Sequence, residues 1–214
     1  MEWPEIDEHF VAAQAPPQAM DLLWAGGWRH FGTHFFRYSR LGEQRVIPLR
    51  VRLARFALRK SQQRVLKRNR DLEVRIGPAF ANPEVEALFH RHKLRFKQNV
   101  PRSLYQFISP TPDRIPCRCH SLALYQGPRL VGISYLDEGE EAASSVYQCF
   151  EPALARRSLG ILMLLLSIEQ ALEWGKRFYY PGYAYQAPSF YDYKKRLLGL
   201  EFYDWRAWHP FEAL

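Results

Sequence analysis

Apolar and polar positions change period several times along this chain, and each change predicts an element. The first twenty residues hold three prolines among acids, followed by a short amphipathic turn at Met20–Trp24 and a turn signal at Gly26-Gly27-Trp28. His34–Tyr38 and Val46–Leu53 alternate as half-buried strands do. Lys60–Arg70 is polar except at Val65 and Leu66, which predicts a helix with those two residues turned inward. Pro78 and Pro83 bracket a loop. Glu84–Phe96 reads as an amphipathic helix with Val85, Leu88 and Phe89, then Leu94 and Phe96, on its apolar side. A proline-rich connection, Pro101–Pro116, leads to strands at Ser121–Tyr125 and Leu130–Leu136. Asp137–Glu141 then reads as an exposed turn and Ser144–Phe150 as a third strand. The helix Leu159–Trp174 ends at Gly175, and the strand Arg177–Tyr180 follows it. A short helix around Tyr191–Leu197 and a strand near Glu201–Trp205 close the chain.

Antiparallel strands feeding a βαβ unit make an α+β protein, a mixed β-sheet flanked by helices. This order resembles the GNAT-like acyltransferase fold. Pro78–Pro83 marks the expected boundary between a small basic N-terminal module, residues 1–77, and a C-terminal catalytic domain, residues 78–214. In a βαβ unit the loop opening the helix and the exit of the second strand share one edge of the sheet. Arg156-Arg157-Ser158-Leu159-Gly160 is therefore expected beside Pro181-Gly182-Tyr183. Ser158 is placed as an N-cap, and Gly160 exposes backbone amides at a helix start flanked by two arginines, an arrangement suited to phosphate.

Charge strengthens that expectation. The net charge is +8, and Arg45–Arg70 holds ten Arg and Lys with no Asp or Glu. A solvated helix face normally carries compensating acids, so phosphate contacts with salt-sensitive affinity are expected. Hydrophobic residues at 47% and aromatic residues at 15% supply a globular interior and argue against disorder. With no run of about 20 apolar residues, no signal-peptide pattern and three irregularly spaced cysteines, the chain reads as a soluble cytoplasmic protein.

Tyr179–Lys195 contains six tyrosines. Tyr183 and Tyr185, after the Pro-Gly turn, are placed facing a pocket, where their rings suit an adenine or a single-stranded 3′ end. His30 with His34, His90 with His92, and Cys117-Arg118-Cys119-His120 do not supply four ligands at a recognised zinc spacing, so no metal and no cofactor are expected. The absence of a nucleophile elbow, a P-loop and a dinucleotide glycine pattern removes support for hydrolase, nucleotide-hydrolysing and nicotinamide-dependent readings.

GWRHFG (Gly27–Gly32), IPLRV (Ile47–Val51), KSQQRVLKRNRDL (Lys60–Leu72), SSVY (Ser144–Tyr147), RSLG (Arg157–Gly160) and PGYAY with YDYKK fall in one order. In that order they resemble the aminoacyl-tRNA–protein transferases, the arginyl-transferring enzymes and their bacterial leucyl-transferring relatives. The resemblance implies a GNAT-like C-terminal domain, charged tRNA as co-substrate, and transfer to the N-terminus of a protein, commonly one beginning with an acidic residue, as in protein arginylation and N-degron pathways. It implies that Lys60, Ser61, Gln62, Arg64 and Asn69 belong to the family's basic signature, with Arg157-Ser158-Leu159-Gly160 in the loop and Gly182, Tyr183, Tyr193 and Lys194 in the late motif. The chain departs from the family in two places. Tyr38–Val46 lacks the usual cysteine cluster, and Pro188 and Phe190 stand where a cysteine and a lysine are common.

The resulting expectation is an aminoacyltransferase that moves arginine, or alternatively leucine, from charged tRNA to an acceptor amine, without membrane or DNA as partner. An aminoacyl ester is already activated, so the protein must position it, help remove a proton and stabilise an oxyanion. Tyr183 or Tyr193 is assigned to the proton, Lys194 or Lys195 to the developing charge, and Asp137 either to orienting an amine or to an exposed turn. The competing readings are a GNAT-type N-acyltransferase using acyl-CoA, disfavoured by Leu162 where a second small residue is usual, and a non-catalytic tRNA-binding protein.

Overall fold

The computed structural model describes residues 4–97 and 99–213, except for the side chains of Phe190 and Ala213. Strand β1 (Asp7–Val11), helix α1 (Pro17–Ala25), β2 (Arg29–Phe31) and β3 (His34–Tyr38) form the N-terminal part, with β1-β3-β2 a small antiparallel sheet. Then come β4 (Arg40–Leu41), β5 (Gln44–Arg52), α2 (Lys60–Arg68), β6 (Glu73–Pro78) and α3 (Pro83–Lys93). The remainder is β7 (Cys119–Gln126), β8 (Arg129–Glu138), β9 (Ala142–Phe150), α4 (Leu159–Glu173), β10 (Phe178–Tyr185), β11 (Leu200–Tyr203) and β12 (Trp208–Pro210). The segment 190–196 is 3₁₀ rather than α-helical.

The large sheet runs β12-β11-β5-β10-β9-β8-β7-β6, with β4 paired to β5. Among the described strand pairs only β9 and β10 are parallel, joined by the α4 crossover, so this is the GNAT-like mixed sheet flanked by helices. The sheet crosses the boundary expected at residue 78, because β5 lies between β10 and β11 and β6 forms an edge beside β7. Leu49 and Val51 of β5 are fully buried with Ile168 of α4, Tyr179 of β10 and Phe202 of β11. Truncating such a leucine to alanine costs about 2–5 kcal/mol, which ties the N-terminal segment to the common core.

Some expected orientations are corrected. Leu94 is 80% exposed because α3 ends at Lys93 and the chain turns away before the predicted last turn. In α2 Val65 and Leu66 do face inward, half-buried against the core, but the fully buried side chain is Gln62. Gln62 Oε1 accepts from the Arg59 amide at 2.8 Å, capping the helix start. Ser158 caps nothing with its side chain. It adopts a left-handed φ of +59° between a 3₁₀ turn and α4. Asp137 is not in an exposed turn. It lies inside β8, opposite Cys119 of β7, and is 1% exposed. Leu162 is 4% exposed in the core beneath α4, which accounts for a large residue at that position.

Candidate active site

Parallel pairing of β10 with β9 covers only Phe178–Tyr180 against Ala142–Ser144. Beyond that point the strands separate, for a reason visible in β10. Pro181 has no amide hydrogen to donate, and Gly182 takes a φ of +93°, making a bulge against β5 between Tyr179 and Gly182. Splaying leaves the β10-facing side of β9 beyond Ser144 without a strand partner, while β8 stays paired on the other side. Arg29 of β2 fills the gap, donating to Ser144 Oγ and to the Ser145 carbonyl.

The opening between the strands is a cleft of about 1030 Å³. Its floor combines Ser145 and Tyr147 of β9 with Pro181–Tyr185 of β10. Phe31, Phe36 and Tyr38 of the small sheet close one side, and His92, Arg95 and Phe150 line another. The loop before α4 reaches the rim through Ser158, Leu159 and Gly160. The expected neighbourhood of that loop and the Pro181-Gly182-Tyr183 segment is therefore realised. Aromatic walls and a few convergent polar groups give this cleft the character of a substrate site.

Two cations meet at its floor. Lys194 Nζ and Arg29 Nη2 lie 3.5 and 3.7 Å from the point where a Cβ on Gly182 would stand. Lys194 donates to the Tyr183 carbonyl at 3.2 Å. Burial, and then the positive charge of Arg29, pull the Lys194 ammonium down to about 7. Burial also lowers Arg29. Burial pushes the Tyr183 and Tyr193 phenols well above their ordinary range, and Tyr38 up to about 12. The amine of Lys194 thus changes protonation near neutrality while these phenols remain protonated.

Of the sequence-selected residues, Ser158, Leu159, Gly160, Gly182, Tyr183, Tyr185, Tyr193 and Lys194 line the cleft. The Tyr183 hydroxyl, assigned to proton handling, donates to the Gly27 carbonyl at 2.5 Å and so fastens the N-terminal turn to β10. Lys60, Ser61 and Arg64 are exposed on α2, outside the cleft lining. Gln62 and Asn69 are buried and structural. Asn69 Nδ2 donates to the Val65 and Arg157 carbonyls, at 2.8 and 3.0 Å.

Arg157 does not reach the cleft. Its Nε donates to Asn69 Oδ1 at 2.9 Å, and its Nη2 donates to Asp71 and to the Arg68 carbonyl. Arg156 is exposed, and its carbonyl accepts from Arg68 at 2.6 Å. Lys195 is turned toward Asp192 and the Gln186 and Ala187 carbonyls, away from the cleft. The Arg157 side chain therefore joins α2 to the rim instead of gripping an anion directly, while the Arg156 side chain stays exposed. The basic segment is also not free of acids: Arg50 and Arg52 both pair with Glu201, at 2.6 and 2.9 Å.

Arg29, Tyr38, Arg95 and Tyr147 are site residues that sequence patterning did not select. Arg29 and Tyr147 lie within GWRHFG and SSVY, but periodicity carries no sign of which residue in such a motif faces a cleft. Away from the cleft, the structure also gathers His30, Cys117 and Asp137, whose donor atoms all lie within 4.8 Å of one another.

Residues 85–204 match the family model described as "Arginine-tRNA-protein transferase, C terminus". The chain belongs to this family. The matched span holds β7 to β11 with α3 and α4, including the whole splayed β9–α4–β10 unit. An aspartate/glutamate leucyltransferase of Stenotrophomonas maltophilia (strain R551-3) is 34% identical over 199 residues, covering 89% of this chain and 78% of that protein. One of Xylella fastidiosa (strain 9a5c) is 30% identical over 216 residues, covering 92% and 79%. Among solved structures, L-PGS from Bacillus licheniformis superposes with a TM-score of 0.50 at 14% identity, over 84% of this chain and 55% of that one, which is a likeness of fold. As a member of the arginine-tRNA-protein transferase family, the chain is an aminoacyltransferase. Among the described residues, no helix is long and apolar enough to cross a membrane.

Proposed function

We propose that this enzyme transfers leucine from charged tRNA to the α-amine of a protein or peptide that begins with aspartate or glutamate. The similarity to aspartate/glutamate leucyltransferases favours leucine over arginine as the donor residue. The cleft's apolar, aromatic lining suits a leucyl side chain and a terminal adenine, and among the described residues it offers no carboxylate to an arginyl guanidinium. The observation that carries the mechanism is the meeting of Lys194 and Arg29 beside Gly182, where β9 and β10 part.

The acceptor's α-ammonium has a reference pKa near 8 and must lose a proton to attack. The neutral Lys194 amine accepts that proton. The new N–C bond forms as the ester C–O bond breaks, and the electron pair goes to the ribose oxygen of the tRNA. Lys194 returns its proton there to make the hydroxyl, and the second proton shed by the attacking nitrogen leaves to solvent. Arg29 supplies positive charge for the oxyanion and for the acceptor's carboxylate. Exposed Lys60, Arg64 and Lys67 of α2, and Arg156 in the segment that α2 contacts through Arg68, offer charge to the tRNA backbone.

The test mixes purified enzyme, leucyl-tRNA or arginyl-tRNA, and peptides beginning with Asp, Glu or Ala, read by mass spectrometry. Gain of a leucyl residue on the Asp and Glu peptides is expected. Arginyl transfer without leucyl transfer, or equal transfer to the Ala peptide, would refute the assignment. Acetyl gain from acetyl-CoA without aminoacyl gain would replace it with acyl-CoA chemistry.

A further inference from the structure

We propose that Ile161, Leu164 and Ala184 form the pocket for the side chain of the transferred residue, and that its size selects leucine. The assignment rests on the leucyl-transfer reading above and on the place of Lys194. The reacting ester must lie against the Lys194 amine, so the side chain attached to it must be housed close by. Lys194 Nζ donates to the Tyr183 carbonyl at 3.2 Å, and the carbon of that carbonyl is bonded to the Ala184 nitrogen. Ala184 is therefore beside the reacting group, and it carries only a methyl. A depression on β10 starts there.

Two packing clusters meet in the cleft. Ala184 packs in the cluster that α4 shares with β5, together with Leu164, Ile161 and the Tyr193 ring. All four line the cleft. Phe107, Val146 and Tyr147 line it too, but they pack in a different cluster, where the rings of Phe107 and Tyr147 stack at 4.0 Å. One end of the cleft is thus aliphatic and the other aromatic. The aliphatic end belongs to the chain neighbours of the lysine, Tyr193 before it and Ala184 beside its carbonyl partner.

Leu164 is 5% exposed and Ala184 2%, so a group that enters between them leaves water for an apolar surface. A leucyl side chain sets its branched end against Ile161 and Leu164. An alanyl donor leaves that surface uncovered, and a phenylalanyl ring presses on Leu164. Among the described residues, the charged side chains lining the cleft, Arg29, Arg95 and Lys194, are all basic, so an arginyl or lysyl head loses its hydration without a counter-charge. A pocket of this kind separates donors that differ by one methylene by roughly 10–200-fold. The three residues sort donors and take no part in the bond changes.

The experiment gives the full chain leucyl-, phenylalanyl- or alanyl-tRNA with a peptide beginning with Asp, and measures kcat/KM for each donor. Wild type should prefer leucyl-tRNA. Ala184→Leu should lower leucyl transfer relative to alanyl transfer by at least about tenfold, because the new side chain fills the pocket. Leu164→Ala should raise phenylalanyl transfer relative to leucyl transfer by at least about tenfold. Should that core variant fail to fold, the half-buried Ile161→Ala should show the same shift. Ratios between donors do not depend on how much of the enzyme is folded. Folded variants that keep the wild-type ratios, in a protein whose wild type transfers leucine, overturn the pocket alone. Wild type that transfers no leucine overturns the functional reading and the pocket with it.

Discussion

Lys194 donates to the Tyr183 carbonyl at 3.2 Å, holding its amine against the Gly182 bulge that Arg29 approaches from the other side. Below about pH 7 that amine is protonated and cannot act as base. Transfer rate should therefore rise through about 7, beneath the separate limb of the acceptor amine near 8. Lys194→Met should lose roughly a hundredfold in kcat and lack the lower limb. Because the folded value lies below the ordinary 10.5, the unfolded chain holds a proton between about 7 and 10.5 that the folded chain does not. Wild type should thus gain stability relative to Lys194→Met as pH rises through that window. Denaturant titrations at its two ends check the sign, and parallel curves would show that the amine is not desolvated.

Gly182→Ala should destabilise the protein by about 1–2 kcal/mol, through its positive φ rather than through a clash. The added Cβ would meet nothing nearer than 3.5 Å. Thermal melting against wild type measures the loss. Transfer should fall with it as the bulge straightens, and an unchanged melting temperature would contradict the bulged geometry.

Arg157 and Asn69 bond reciprocally, side chain to side chain and side chain to carbonyl. Arg157→Ala and Asn69→Ala should each lower stability by about 1–2 kcal/mol, and a double-mutant cycle should give a coupling of at least about 0.5 kcal/mol. KM for charged tRNA should rise in both, because the α2–α4 junction carries the basic rim. Additive losses would separate the two residues.

Two tyrosines should behave oppositely. Tyr183→Phe removes the bond to Gly27 and should cost about 1 kcal/mol of stability while leaving kcat nearly intact. The buried Tyr147 hydroxyl has no partner among the described residues. Tyr147→Phe should leave stability equal or higher and raise KM, as expected of a hydroxyl that bonds substrate. Chemical denaturation and steady-state kinetics on both variants separate the roles.

Most elements were legible because local periodicity reports them: the apolar run of α4, the alternation in β5 and the three-strand meander all match their predicted places within a few residues. The neighbourhood of the Ser158–Gly160 loop and Gly182 was also legible, since a βαβ unit admits one geometry. Asp137 was not. Its flanking acids and glycine imitate a turn, whereas pairing with Cys119 carries β8 on through Glu138. Ser158 has an N-cap's residue type, but the preceding 3₁₀ turn forces it left-handed and takes its side chain away from the helix amides.

By itself the sequence determined the main helices, strands β3, β5 and β7 to β11, and the family, because these follow from patterns spanning a few turns or residues; it did not show β1, β2, β6 or β12. Tertiary structure alone decided which aromatic and basic groups are available. Glu201 meets Arg50 and Arg52 across about 150 residues of chain, and His30 meets Asp137 across 107. Such partnerships depend on strand register and on how far β9 and β10 splay. Both are set by packing the whole core, so no local window of the chain contains them.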